Sequence, residues 1–244
     1  MEIDLEKQSF SKTTSYKLSA LLDVDSFFYA LFDSDSHQVI KAGRSNLPFV
    51  LPEVEPHIEH TTYALWSAGY TLIPITEYDQ THIPLFMVAA TGRYQDDSYQ
   101  YKSEVLERFG VRLCYAIPEG QLQAINDEHQ SEQIVHVLSA LTRSIPKDEK
   151  KGIYVLLLGT KCMIIAYAED RLYTCSTFHQ VSAVSLLYYL SLAQQTYPAL
   201  VSTPIKLCGD VIKGDSCHQL ISKYHSVEVL DEFYLFKCIN ICGS

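Results

Sequence analysis

The side chains that could do chemistry in this sequence fall into three short groups. The first is a pair of histidines three apart, His57 and His60, with Glu53 about one helical turn earlier. Two ligands on one helix face would be half of a zinc site. No third ligand stands nearby, and isolated motifs this short are usually incidental. We therefore expect a solvated helix face instead of a metal centre.

A thiol and an acidic loop form the other two groups. Cys217 is followed by His218, with His225 beyond. Neighbouring side chains on a helix point to different faces, so these histidines are poorly placed to activate the thiol. Asp33 and Asp35 lie in a serine-rich loop, but the other ligands of a calcium loop are missing. We expect packing in the first case and a turn in the second.

The cysteines indicate the redox compartment. There are seven, an odd number, and no C-x-x-C pair occurs. Most stand inside apolar runs, where cysteine behaves as a small hydrophobe. Cys238 and Cys242 lie four apart in an apolar tail, and a strand there would place both on one side. The pattern favours packing in a reducing, cytoplasmic protein.

The composition and net charge of the chain limit the kinds of partner that it can bind. The chain has 244 residues, 47% of them hydrophobic, and a formal net charge of −10. An acidic chain gains no electrostatic help in binding phosphate backbones or anionic lipid, so we expect no nucleic acid partner. No apolar run approaches the roughly 20 residues that span a bilayer, so we expect no membrane insertion. The polar residues 1–14 predict a flexible N-terminus without a signal peptide.

The C-terminal half has the clearer order of elements. Short turns at Gly159–Lys161 and Glu169–Asp170 separate three apolar runs, which must be antiparallel neighbours because parallel strands need a long crossover. Helices then alternate with short strands. The predicted elements are strands 153–158, 162–168, 171–178, 204–208 and 227–230 and helices 181–195 and 215–224. The helical spacing of the first helix is carried by Val184, Leu187, Tyr188 and Leu192.

The N-terminal half begins in the same way, with three strands joined by turns. The predicted strands are 18–24, 27–32, 38–42, 70–76 and 111–117, and the predicted helices are 53–68, 85–89, 101–109 and 131–143. Because the order repeats, we predict a first half over 15–146, a charged linker over 147–151 and a second half over 152–244. Each half would be a mixed α/β sheet led by three antiparallel strands, which is the RNase-H-like pattern.

These elements carry a family resemblance. Leu18–Leu22 and Asp25–Asp33 resemble the opening of an uncharacterised bacterial domain family with an actin-like ATPase fold, a tandem duplicated RNase-H-like fold. Tyr70–Pro74 is similar to that family's strand after the first helix, and Tyr154–Tyr173 resembles the start of its second half. A more distant similarity is to the actin-like platform proteins of pilus assembly and secretion. The resemblance implies a fold but no assigned activity.

The resemblance also implies where a nucleotide would bind. In that superfamily the first strand-to-strand turn of each half carries an acid for Mg²⁺, then glycine and small hydroxyl residues, which let backbone N–H groups approach the phosphates. The residues at the matching turn positions are Asp23, Asp25 and Ser26 in the first half and Gly159, Thr160 and Lys161 in the second. Gly209 and Asp210 match the adenosine-side motif, which is normally a glycine pair after a strand. The first turn has no glycine and is followed by bulky Phe27, and Leu157 replaces the second acid. We therefore expect no ATP hydrolysis.

Three functions remain open at this point. The first is a cytoplasmic protein-interaction or scaffold module with an unidentified protein partner, for which homo-oligomers are also open. The second is an ATPase or small-molecule kinase that binds Mg²⁺-ATP in an atypical site between the halves, and the third is a small-ligand-binding protein that uses the same cleft. The tyrosines that we expect in an exposed patch are Tyr94, Tyr99 and Tyr101.

Overall fold

The chain folds into two compact units, Met1–Ser144 with Phe236–Ser244 and Ile145–Leu235. The computed structural model of the protein describes residues 15–23, 26–46, 57–67, 69–92, 98–126 and 132–242. The predictions for residues 1–14, Glu53 and Tyr94 lie outside these ranges. The sequence assigned the whole tail to the second half, whereas the structure groups Phe236–Ser244 with the first unit.

Thirteen strands and six α-helices are found in the described ranges. The strands are β1 (Ser15–Leu22), β2 (Ser26–Asp33), β3 (Val39–Asn46), β4 (His57–Leu65), β5 (Tyr70–Pro74), β6 (Tyr99–Leu106), β7 (Val111–Pro118), β8 (Glu132–His136), β9 (Lys151–Leu158), β10 (Lys161–Ala168), β11 (Arg171–Phe178), β12 (Ile205–Gly209) and β13 (Val227–Val229). The helices are α1 (Ile83–Thr91), α2 (Glu119–Asn126), α3 (Val137–Arg143), α4 (Ala183–Thr196), α5 (Ser216–Ser222) and α6 (Tyr234–Cys242).

Each unit is built on a mixed sheet of five strands. The order is β3-β2-β1-β4-β8 in the first unit and β11-β10-β9-β12-β13 in the second. In both, the first three strands in sequence are antiparallel neighbours, as their short turns require. The two later strands run parallel to the leading strand and are reached through crossovers. The predicted fold class, two mixed α/β sheets each led by three antiparallel strands, is confirmed.

A third sheet lies within the first unit, in the long connection between β4 and β8. Its strand order is β5-β7-β6, and all of its pairs are antiparallel. Helix α1 packs on this sheet, where Ile83 and Met87 are buried against Ile73 and Cys114. Gly92 ends α1 in a left-handed conformation and donates its N–H to the Val88 carbonyl. The short helix predicted over 85–89 is confirmed by α1.

Two helices predicted in the first half are strands. Residues 57–65 form β4 and residues 99–106 form β6, where we expected helices over 53–68 and 101–109. β4 lies between β1 and β8, and its second half is buried on both faces. A strand buried on both faces has no two-residue alternation, so its apolar spacing is easily mistaken for a helical one.

Two further boundaries differ from the sequence prediction. The helix expected over 131–143 begins only at Val137, because His136 accepts the Leu138 N–H through its side chain and so caps the helix after β8. The tail, for which we considered a strand, is helix α6. Cys238 of that helix lies 3.0 Å from the Ser144 hydroxyl, so the tail packs against the end of α3.

Gly209 is required where β12 ends. Its φ is +90°, and a Cβ built there would meet the backbone carbonyl of Leu157. Gly214 in the same unit also has a positive φ, of +94°, but a Cβ there would meet nothing within 4 Å. Both glycines have a positive φ, which other residues rarely adopt. Only at Gly209 would a side chain also clash with the backbone.

We expect Gly209→Ala to destabilise the second unit by at least about 3 kcal/mol, because it adds a backbone clash to the strain of the positive φ. Gly214→Ala carries the strain alone and should cost roughly 1 kcal/mol. Differential scanning calorimetry of both variants measures the difference. Equal losses in the two variants would contradict the close approach of β12 to β9.

Candidate functional site

The carboxyl ends of three parallel strands are aligned in the first unit. Leu22 of β1 pairs with Leu65 of β4, and Leu65 pairs with His136 of β8. Asp23 follows β1 directly and is half-buried at this edge. The structure therefore places Asp23 where the resemblance implies an acid, while Asp25 and the side chain of Ser26 lie outside the described part of the chain.

Phe27 belongs to the core of the first unit. It pairs with Leu22 across the β1–β2 hairpin and is fully buried. Its ring stacks on Tyr29 with the centroids 6.0 Å apart, and lies 6.5 Å from the ring of Tyr63. A buried aromatic ring thus follows the first turn, at the position where a nucleotide-binding turn carries a small residue.

The structure brings three of the second-half residues together. Gly159 lies in the β9–β10 turn with a φ of +57° and donates its N–H to Asp210 Oδ2 at 2.7 Å. Asp210 follows Gly209 and donates its own N–H to the Leu157 carbonyl at 2.8 Å. Thr160 is exposed in the same turn and Lys161 begins β10. The residue that follows β12 is thus hydrogen-bonded to β9 and to the β9–β10 turn.

The Asp210 carboxylate already accepts the hydrogen bond from the backbone N–H that a phosphate at this turn would use. Backbone N–H groups of such turns bind anions, and here an aspartate of the same unit is already bound to the Gly159 N–H. A phosphate approaching this turn would meet a negative charge instead of a donor. Leu157, at the position of the missing acid, is buried in the apolar core of the second unit. The turn therefore has no acid at position 157, and its Gly159 N–H is already hydrogen-bonded within the unit.

The histidine pair lies on strand β4, not on a helix. A register shift in the pairing with β1 falls between His57 and His60, so the two-residue alternation of side chains is interrupted there. Glu59 instead accepts a hydrogen bond from the Ser34 hydroxyl. Within the described ranges, no three His, Cys, Asp or Glu side chains come together as a metal ion would require.

The acidic loop is a turn, as predicted. Asp33 accepts the backbone N–H of Ser36 at 2.7 Å and that of Asp35 at 3.2 Å, in an arrangement that closes the β2–β3 connection. Hydrogen bonds from Ser36 hold the pKa of Asp33 below its usual value. The hydrogen bonds of this carboxylate therefore stabilise the turn.

The thiol of Cys217 is not activated. Burial, followed by the nearby charge of Asp215, raises its pKa above the usual value, which leaves the thiol protonated. His218 uses its Nδ1 to accept the Gly214 N–H. His225 lies in a different group, with Nε2 3.3 Å from the Ser191 hydroxyl and Nδ1 3.1 Å from Gln194 Oε1. That group joins the end of α5 to α4.

A buried histidine that sequence reasoning missed organises the carboxyl edge of the first sheet. His136 is fully buried, accepts the Leu138 N–H at Nδ1 and makes a 3.2 Å hydrogen bond from Nε2 to the Ser67 carbonyl. A carbonyl can only accept, so Nε2 carries the proton and the ring is neutral. Burial lowers the pKa of His136 to about 4. The rings of Tyr70 and Tyr115 each lie 5.1 Å from it.

An acid and a base stand beside this histidine. Glu104 accepts the His136 backbone N–H at 2.6 Å through one oxygen, and its other oxygen lies 3.3 Å from the Arg143 guanidinium. Burial, reinforced by the charge of Glu104, raises the pKa of the Tyr115 hydroxyl. The group connects β6, β7 and α3 through these contacts. We read it as a structural support of the edge.

A second polar group of this kind lies in the second unit. Lys206 on β12 donates to Glu149 at 2.7 Å and to the Tyr154 hydroxyl at 3.1 Å. A Cβ on Gly152 would meet the Glu149 carboxylate and the Tyr167 hydroxyl at 2.7 and 2.8 Å, so a side chain there would displace the ends of these two residues. Burial raises the pKa of Tyr154. This cluster holds the start of β9 to β12.

The exposed aromatic and apolar side chains are not where the sequence predicted them. Tyr101 packs half-buried against the core of the three-stranded sheet and Tyr99 is half-buried. Helix α4 instead exposes Val184 by 68%, Tyr188 by 62% and Leu192 by 45%. The helix itself is confirmed, but the residues that gave it its helical spacing lie mainly on its outer face. Its buried residues are Leu186 and Leu190.

With this geometry in place, comparison with solved structures defines the fold class. The chain is similar to a protein of unknown function from Bacteroides thetaiotaomicron VPI-5482 that has an actin-like ATPase fold. The sequences are 12% identical, the TM-score is 0.75, and the match covers 96% of this chain and 99% of that one. The two five-stranded sheets therefore form an actin-like ATPase fold with two domains.

The chain belongs to the family described as protein of unknown function DUF3822, whose sequence profile matches residues 59–227. None of the curated protein sequences matches it significantly. Among the described segments, none of the helices has both the length and the hydropathy to cross a lipid bilayer.

Two other solved structures share the fold more distantly. One is a chain of the PilM–PilN type IV pilus biogenesis complex, 10% identical with a TM-score of 0.53, covering 90% of this chain and 89% of that one. The other is the ethanolamine utilization protein EutJ from Carboxydothermus hydrogenoformans, 10% identical with a TM-score of 0.50, covering 93% of this chain and 88% of that one. At these identities the similarity is one of fold.

The neutral His136 makes the stability of the first unit depend on pH. Its folded pKa of about 4 lies below the ordinary value of 6.5, so the unfolded chain binds more protons between these values. The stabilisation is therefore complete above pH 6.5 and is lost as the pH falls towards 4, by about 3 kcal/mol in all. Urea unfolding followed by the fluorescence of Trp66, the single tryptophan, measures it.

His136→Asn is the matched variant for this measurement. Asparagine can still cap α3, but it does not titrate and cannot reach the Ser67 carbonyl as the ring does. We expect lower stability than the wild type at pH 7 and a flatter dependence between pH 4 and 6.5. An equally steep dependence in both proteins would assign the acid sensitivity to other groups.

Proposed function

We propose that this chain is a cytoplasmic protein-interaction module on an actin-like fold and that it does not hydrolyse ATP. The observation that carries the proposal is the outer face of α4. The helix Ala183–Thr196 contains no Asp, Glu, Lys or Arg, and it exposes Val184, Tyr188 and Leu192. Surface helices normally carry charged residues on their solvent face, and a helix apolar on all sides is normally buried.

The composition of the face supports a protein partner in particular. Exposed apolar groups that follow one helix ridge can pack into a groove on another protein, and tyrosine is enriched at such interfaces. Water-exposed apolar surface is costly at about 25 cal/mol per Å², so covering it is favourable. A partner that offers apolar side chains would supply that cover. The PilM–PilN complex is an example of a similar fold in an assembly with another protein.

The nucleotide turns support the second part of the proposal. In the second unit the Asp210 carboxylate is bound to Gly159, and Leu157 stands at the position of the acid. In the first unit the turn is followed by the buried ring of Phe27. Phosphoryl transfer depends on positioning and on stabilising charge, and these turns offer little of either.

We expect no change in melting temperature when Mg²⁺-ATP is added at millimolar concentration, and no phosphate release above the uncatalysed rate. A ligand that binds only the native state raises its stability by mass action, so calorimetry with and without nucleotide detects binding directly. Asp210→Asn is the matched variant, since it keeps an acceptor for the Gly159 N–H and removes the negative charge. A saturable increase in the wild-type melting temperature would revive the ATPase and kinase hypotheses.

The interaction itself is tested by photo-crosslinking. We expect a photoreactive amino acid at Tyr188 to form one discrete protein adduct in the cells that make this protein. The same amino acid at Leu85, which is 64% exposed on α1, should form none. Leu192→Lys should abolish the adduct at Tyr188, because it places an unpaired charge in the apolar interface. Equal, diffuse labelling from both positions would count against the proposal.

A further inference from the structure

The outer face of α4 also indicates which partner it takes. We propose that this partner is a second copy of the same chain, packed α4 against α4 about a twofold axis beside Tyr188. The inference depends on the interaction function proposed above and goes beyond it by naming the partner. It follows from the spacing of the exposed residues and from the absence of charge on the helix.

The spacing is suited to a symmetric contact. Val184, Tyr188 and Leu192 are four residues apart and so form one i±4 ridge along the helix. Ridges of this kind interdigitate when two helices cross at about −50°, the commonest packing class. In a twofold pair Tyr188 would lie beside Tyr188 of the other copy, and Val184 would lie opposite the other copy's Leu192. An apolar residue therefore meets an apolar residue at all three levels.

The neighbouring positions leave room for this ridge. Ser185 and Ser191 flank it on the two sides of the helix, and both side chains are small and at least partly buried. Ser185 is engaged in the capping box with Ser182, and Ser191 is hydrogen-bonded to His225. Their hydroxyls are already satisfied, so covering them would leave no new unpaired polar group.

The charge distribution favours a copy over an oppositely charged protein. The chain carries a net charge of −10, and selection of a basic partner would require acidic side chains at the contact. Helix α4 supplies none, since all fourteen of its residues are uncharged. Two acidic copies repel one another at long range, and an uncharged contact is where that repulsion does least.

The small area of the outer face of α4 determines the affinity that we expect for the dimer. A single helix pair buries less than the roughly 1,200 Å² at the lower end of stable interfaces. The dimer should therefore be weak, with an equilibrium between monomer and dimer in the micromolar range of concentration. Its formation would then depend on how much of the protein the cell contains.

Sedimentation equilibrium of the full chain under reducing conditions tests the proposal. We expect the apparent mass to rise with concentration from monomer to dimer. Tyr188→Lys should weaken the dimer by roughly tenfold or more, because each copy would bury an unpaired charge at the axis. The control is Ile212→Lys, at a position 72% exposed in the same unit but outside α4, and it should leave the equilibrium unchanged. Unaltered melting temperatures in both variants would show that the fold is intact.

Disulfide trapping identifies the axis. Tyr188→Cys should form a covalent dimer under mild oxidation, since the two introduced thiols lie next to each other. Val184→Cys should not, since its expected neighbour is Leu192 of the other copy. The wild type, with its seven native cysteines, gives the background.

Each outcome has a definite meaning. A wild type that stays monomeric at every concentration, or a dimer that persists in Tyr188→Lys, overturns the inference. If the chain is monomeric but the photoreactive residue at Tyr188 captures a different protein, the self-association is wrong and the interaction function stands. If neither a dimer nor an adduct is found, both are wrong.

Discussion

The close approach of β12 to β9 determines what the second unit can do. Gly209 lies against the Leu157 carbonyl, in a space that admits no side chain, and the chain then turns so that Asp210 reaches the Gly159 N–H. The turn that would otherwise present a donor to a phosphate is closed by a carboxylate from the same unit. The chain keeps an actin-like ATPase fold, and in its β9–β10 turn the Gly159 N–H is engaged in an internal hydrogen bond.

We propose that the described surface serves contact with another protein instead of chemistry. The polar groups around His136 and Lys206 are hydrogen-bonded within the protein and hold strands and helices together. Helix α4 is the opposite case, because its outer side exposes Val184, Tyr188 and Leu192 and the helix carries no charged residue. Such exposed apolar side chains are costly in water and are explained when another protein covers them. The structure thus separates a supporting interior from one exposed face.

The sequence predicted the order of elements in the second half and the repeated three-strand opening, because short turns such as Glu169–Asp170 force antiparallel neighbours. It could not predict β4, since a strand buried on both faces lacks the alternation that marks strands. The contact of Asp210 with Gly159 joins residues 51 apart and has no local signal. On α4 apolar residues lie on both sides, so spacing alone could not tell that Leu186, and not Tyr188, faces the core.

The backbone amide of Gly159 gives the most direct test, because that N–H is the donor a bound phosphate would have to take from Asp210. In an NMR titration of the full chain with Mg²⁺-ATP, the account predicts that the Gly159 amide resonance does not move. A saturable shift of that resonance, with the Asp210 carboxylate displaced, would contradict the account and make this chain a nucleotide-binding protein.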